Sequence, residues 1–114
     1  MVNDNPNWFD LLINQDEDIT TDPQFGHIGD MMAFAYGNFD GATVKLQVSP
    51  DDVLNTDLYA TPDDAEWFDS PDVTFEDKAM LNADIGEVWF RVVQTGSGLN
   101  TDITFKMRPR VEKA

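Results

Sequence analysis

The 114-residue chain contains no cysteine. That excludes a disulfide framework, a thiolate metal site and a cysteine nucleophile. A single histidine, His27, is present, so no multi-histidine metal site can be assembled within one chain. Cations are scarce: 7 Lys+Arg stand against 22 Asp+Glu, for a formal net charge of −15. Clustered positive charge is what neutralises a phosphate backbone or anionic lipid, so neither nucleic acid nor membrane is an expected partner. No apolar run nears the ~20 residues of a membrane helix. The longest early one, Leu11-Leu12-Ile13, is too short for a signal-peptide core, and the opening lacks a basic n-region. Synthesis in a cytoplasm is expected.

What is present suffices for one folded domain. Hydrophobic residues make up 41% of the chain and aromatics 11%, enough for one core at this length. Residues 1–44 hold no Lys or Arg, whereas Lys106, Arg108, Arg110 and Lys113 cluster at the end. Such a dipole can orient an encounter with a partner.

The dominant hydrophobic period is two. Val44, Leu46 and Val48 alternate with Thr43, Lys45 and Gln47, as in a half-buried strand. Val88, Phe90 and Val92 share one face of residues 87–94, with Trp89, Arg91 and Val93 on the other; apolar content on both faces predicts a central strand. Ile103, Phe105 and Met107 alternate with Thr104, Lys106 and Arg108. The glycine-bearing link 95–100 between these last two runs predicts an antiparallel hairpin. Further strands are expected at 30–36, 65–69, 73–75 and 79–84, with a short one at 57–60 inside a Pro- and Asp-rich excursion. No helical stripe persists for three turns beyond residue 30. The fold class expected is all-β, an antiparallel β-sandwich, immunoglobulin-like or jelly-roll-like. Residues 1–28 read as an N-terminal extension, whose apolar cluster (Trp8, Phe9, Leu11, Leu12, Ile13) fits an extra edge strand and a docking arm equally; 29–110 read as the sandwich and 111–114 as a basic C-terminal tail.

Tests for chemistry yield little. No G-x-S-x-G elbow accompanies His27, and Gly26-His27-Ile28-Gly29 reads as a loop. Adjacent acids (Asp51-Asp52, Asp63-Asp64, Glu76-Asp77) sit in turn-rich segments, where carboxylates bond nearby backbone amides. Asn14-Gln15-Asp16-Glu17-Asp18 starts like an EF-hand loop but lacks its glycine and its closing glutamate; whether other loop carboxylates take calcium is left open. No phosphate cradle occurs. No catalytic residue, cofactor or metal is assigned.

Residues 41–52, Gly41-Ala42-Thr43-Val44-Lys45-Leu46-Gln47-Val48-Ser49-Pro50-Asp51-Asp52, lead on to Glu66-Trp67-Phe68. This resembles small virion proteins of tailed bacteriophages, in which a G-x-x-V-x-L-Q-x-S-x-D strand and turn precede a Trp-containing strand. The return through Val88-Trp89-Phe90-Arg91-Val92-Val93, Thr95-Gly96-Ser97-Gly98 and Ile103-Thr104-Phe105-Lys106-Met107 is similar to their terminal R-V-x-x-x-G … I-T-V hairpin. The resemblance spans residues 38–108; the acidic 51–64 loop is longer here, and residues 1–30 match nothing in the pattern.

That resemblance implies a non-enzymatic structural protein of the virion, foremost a capsid decoration (cement) protein on the head exterior. The implied partner is the major capsid protein or another virion protein, and the implied state a homo-oligomer. The contact residues expected are Trp8, Phe9, Leu11 and Leu12 of the arm with Lys106, Arg108 and Arg110 of the tail. Two other readings stand beside it. One is a carbohydrate-binding or receptor-binding tail appendage, resting on Trp67 and Tyr59. The other is an acidic DNA-mimic inhibitor, resting on the charge.

Overall fold

The alternating runs become strands, and their apolar faces close on one another. The computed structural model describes residues 8–109. Its strands are β1 (Phe9–Gln15), β2 (Ile19–Thr20), β3 (Gln24–Ile28), β4 (Met31–Asn38), β5 (Thr43–Ser49), β6 (Phe68–Phe75), β7 (Ala79–Ala83), β8 (Gly86–Thr95) and β9 (Asp102–Pro109). Sheet one has the order β1-β9-β4-β7. Sheet two has the order β2-β8-β5-β6, with β3 also paired to β8. Every pairing is antiparallel. With β2 and β3 counted as one interrupted strand, each step along the chain crosses to the opposite sheet except β5 to β6. That is the strand order of a jelly roll, two Greek keys wrapped face to face, and the immunoglobulin-like option falls away.

Between the sheets lie Val44 and Leu46 of β5, Phe90 and Val92 of β8, and Ile103, Phe105 and Met107 of β9, all fully buried. Edge-to-face aromatic pairs tie the layers together: Phe9 on Phe90 at 5.1 Å and Phe75 on Phe105 at 5.5 Å between centroids. Each such pair contributes about 0.5–1.5 kcal/mol beyond its buried area.

The hairpin expected from residues 87–108 is absent. β8 and β9 belong to different sheets, and residues 96–101 climb from one layer to the other across the ~10 Å that separates packed sheets. Alternation records which face of a strand is buried; it is silent on which strand lies alongside. The two runs meet through their apolar faces rather than through their backbones.

Of the two readings of the N-terminal extension the edge strand holds and the arm does not: residues 9–28 supply three strands of the sandwich, with β1 at the margin of sheet one. β1 pairs with β9, and β2 and β3 pair with β8. Leu12 is 2% exposed and belongs to the core. Two register breaks in β1, at Asp10/Leu12 and Leu12/Gln15, with Asn14 at φ 48°, interrupt the period of two that would mark this strand. Of the strand expected at 65–69 only Phe68 and Asp69 are extended, running on through 73–75 as β6, while Ala65, Glu66 and Trp67 lie outside it; the register of β6 against β5 shifts between Lys45 and Gln47. Pro71 is tolerated there because β6 is an edge strand with a bulge. Residues 57–60 form turns, not a strand, and a 3-10 turn follows at Pro62–Asp64. His27 lies in β3, in register with Glu87. The expected tail, 111–114, lies outside the described residues.

Gly37 marks the tightest point of this weave. Its φ is +114°, and a Cβ added there would sit inside the van der Waals radius of the Asp102 carbonyl oxygen. Gly41 has φ +86° but open space around it. Gly41→Ala should therefore cost about 1–2 kcal/mol, the price of a left-handed backbone alone. Gly37→Ala should cost more than about 3 kcal/mol, because β4 and β9 must also separate. Urea denaturation of the two variants measures the difference.

Candidate functional site

The outer faces of the two sheets differ in chemistry. On sheet two, outward residues of β5, β6 and β8 satisfy one another. Asp69 accepts from the Gln47 amide at 2.8 Å and from Lys45 Nζ at 3.0 Å. Arg91 Nε donates to Gln47 Oε1 at 2.9 Å, its Nη1 pairs with Asp63, and its guanidinium lies 4.1 Å from the Trp67 ring centroid. Trp67 Nε1 donates to the Pro62 carbonyl at 2.9 Å. The Tyr59 hydroxyl donates to Asp51 Oδ2 at 3.0 Å, a bond that raises the phenol pKa. This network pins the 50–67 excursion over the sheet, with Val53 and Ala65 buried beneath it. The aromatics that suggested a sugar platform, Trp67 and Tyr59, are thus engaged within the chain.

The paired acids also hold turns. Asp64 accepts from the Thr61 amide at 3.1 Å, closing the 3-10 turn. Asp18 accepts from the Ser97 amide at 2.9 Å, and that bond, followed by one from the Ser97 hydroxyl, holds its carboxyl below the usual range. Asp16, Glu17 and Asp18 line an open depression of about 540 Å³ with Ser97, Gly98 and Leu99. Among the described residues, no three His, Asp or Glu side chains are grouped to hold a metal ion.

Toward β3 the outer face of sheet two carries an edge-to-face pair, Phe25 on Trp89 at 5.5 Å, with Phe25 exposed. Sheet one mixes apolar side chains with cations across its outer rows. The register aligns Met80, Phe34, Lys106 and Asp10 in one row, and Asn82, Met32 and Arg108 in the next. Period-two geometry turns these side chains away from the core. Tyr36 and Met80 are 39% and 49% exposed, and with Phe34 and Lys78 they line a groove of about 330 Å³ along β7. Arg108 stacks on Trp8 at 4.2 Å, with Nη2 2.8 Å from Asp10 Oδ1. Lys106 Nζ lies 5.8 Å from the Tyr36 ring centroid. Lys78 and Lys106 form no ion pair among the described residues, whereas Lys45 and Arg91 of sheet two are both paired.

Of the contact residues expected from sequence, Trp8, Lys106 and Arg108 come together on this face. Phe9, Leu11 and Leu12 do not: Phe9 and Leu11 pack against the core and Leu12 lies inside it. They belong to the docking-arm reading of this segment, which the edge strand replaces. Arg110 lies outside the described residues. Met32, Phe34, Tyr36 and Met80 were missed. Residues 30–36 carry apolar side chains on both faces, and only the register against β7 and β9 shows which half faces out.

Searches against protein-family models, characterised proteins and solved structures return no match to this chain.

Acid should loosen the sheet-two network. The Gln47 amide, and after it Lys45, holds the Asp69 carboxyl below the usual carboxylate range. A lowered folded-state value means that the unfolded chain takes up this proton first. The stabilisation is therefore complete above the ordinary carboxylate pKa and vanishes as pH falls through the lowered value. Asp69→Asn should reduce the drop in urea midpoint between about pH 6 and about pH 3. Asp69 is half exposed, so the change is small.

Proposed function

We propose that this chain is a non-enzymatic structural protein of a tailed-phage particle, a decoration protein that docks on the head exterior through the outer face of sheet one. The observation that carries the reading is the composition of that face. Trp8, Met32, Phe34, Tyr36 and Met80 lie among Lys78, Lys106 and Arg108, on a chain whose net charge is −15. Aromatic, Met and Arg side chains are enriched at contact surfaces, and the lysines add charge at the rim. On so acidic a protein they favour a negatively charged partner surface and disfavour other faces. The jelly roll is an architecture found in viral capsid and lectin domains, which agrees with the phage-like pattern of residues 38–108. A repeated lattice would multiply a modest single contact into stable attachment.

Co-sedimentation with purified phage heads lacking the protein tests this. The wild-type chain should pellet with the heads, and Lys106→Glu should weaken attachment about tenfold at low salt. The gap between the two should close at high ionic strength, as screening removes the charge contribution. A chain that stays in the supernatant with heads, expanded or not, overturns the proposal.

A further inference from the structure

Sheets end in edge strands whose outward N–H and C=O groups can pair with another chain, and most edges carry a device that prevents it. Three of the four margins here are blunted. β1 breaks register twice. β6 carries Pro71 and a register shift. The margin of sheet two opposite β6 is split into β2 and β3. The fourth, β7, has no such device. Its five residues, Ala79-Met80-Leu81-Asn82-Ala83, pair with Met31–Ala35 of β4 without a shift and include no proline, glycine or charge. Among the described residues β4 is its sole sheet partner.

The residues flanking β7 specify what fits this edge. Lys78 precedes it and Asp84 follows it, both exposed. Antiparallel pairing of β7 with a copy of itself about Leu81 sets Ala79 against the partner's Ala83 and Met80 against the partner's Asn82. The same register sets Lys78 against the partner's Asp84 at both ends. A single two-fold axis therefore matches charge twice and leaves no like charges opposed, the requirement for a self-complementary contact.

We propose that two copies of this chain join edge to edge through β7, antiparallel about Leu81, so that the four strands of sheet one run on into those of the second copy. The grooves lined by Phe34, Tyr36, Met80 and Lys78 then flank the axis on one continuous face. About four to six main-chain hydrogen bonds form across the axis. So short a contact, opposed by the net charge of both copies, gives a weak dimer that assembles at about tens of micromolar. The dimer needs no particle, so its failure leaves the docking proposal standing, and the reverse holds as well.

Sedimentation velocity over a concentration series, on the purified full chain, is the test. Wild type should pass from monomer to dimer. Lys78→Glu and Asp84→Lys should each raise the dimer dissociation constant about tenfold, because each opposes like charges at both ends. Asp84→Lys lowers the net negative charge, so a change driven by overall repulsion has the opposite sign. Mixing the two single variants should restore dimerisation, since both end pairs are then opposite in charge. Circular dichroism checks that the exposed substitutions leave the fold intact. A chain monomeric at every concentration up to about millimolar overturns the proposal. So does a dimer indifferent to both reversals, or one that mixing does not rescue.

Discussion

The structure depends on apolar side chains meeting between two sheets that few neighbouring segments could form alone. Because nearly every connection crosses from one layer to the other, a strand and its successor face each other through side chains instead of bonding through backbone. Phe90 of β8 packs edge to face on Phe9 of β1, and Phe105 of β9 on Phe75 of β6, each pair reaching across from one sheet to the other. No hairpin buries its own apolar face first and waits for the rest. Small irregularities such as the breaks in β1 are tolerated because the core needs side chains at given depths, not an unbroken ladder.

With one set of faces committed to the core, the other set is free to differ. Sheet two uses its exterior to anchor a long excursion. Arg91 serves as the hub, bonding Gln47, pairing with Asp63 and covering Trp67, while toward the β3 margin of the same face Phe25 and Trp89 meet edge to face and Phe25 stays exposed. Among the described residues sheet one has no such cover. Its outer rows carry Met, Phe and Tyr with cations at intervals, an unusual surface for a chain with three acidic residues for each basic one. The asymmetry is the main reason to read the molecule as an adhesive module with a preferred side.

Much of this was legible in residue order, and what was not has physical causes. Strict alternation in 43–49, 87–94 and 101–108 located the central strands and their buried faces, because one face meets oil and the other water. Sheet membership was illegible. Gly96, Ser97 and Gly98 permit a tight turn or a crossing equally well, and the choice is made by contacts with β1 and β4 far away in sequence. β1 was left open between strand and arm by its bulges, and β6 was split in two by Pro71. The candidate face was half legible. Lys106 and Arg108 stood out as rare cations on an alternating strand, and Trp8 as an exposed aromatic. Their neighbours Met32, Phe34 and Met80 lie in runs that do not alternate, and hydrophobicity alone does not say which side of a sheet a residue faces.

One consequence follows from where β9 lies. It is inserted between β1 and β4, so the first and last strands of the jelly roll are hydrogen-bonded neighbours while the strand beside them was made much earlier. On a ribosome β1 emerges well before β9, and until β9 arrives sheet one is split between β1 and β4. Long-range closure of this kind is slow and leaves sticky intermediates. A chain that stops short of residue 102 lacks the strand that joins β1 to β4, so sheet one has no means of closing.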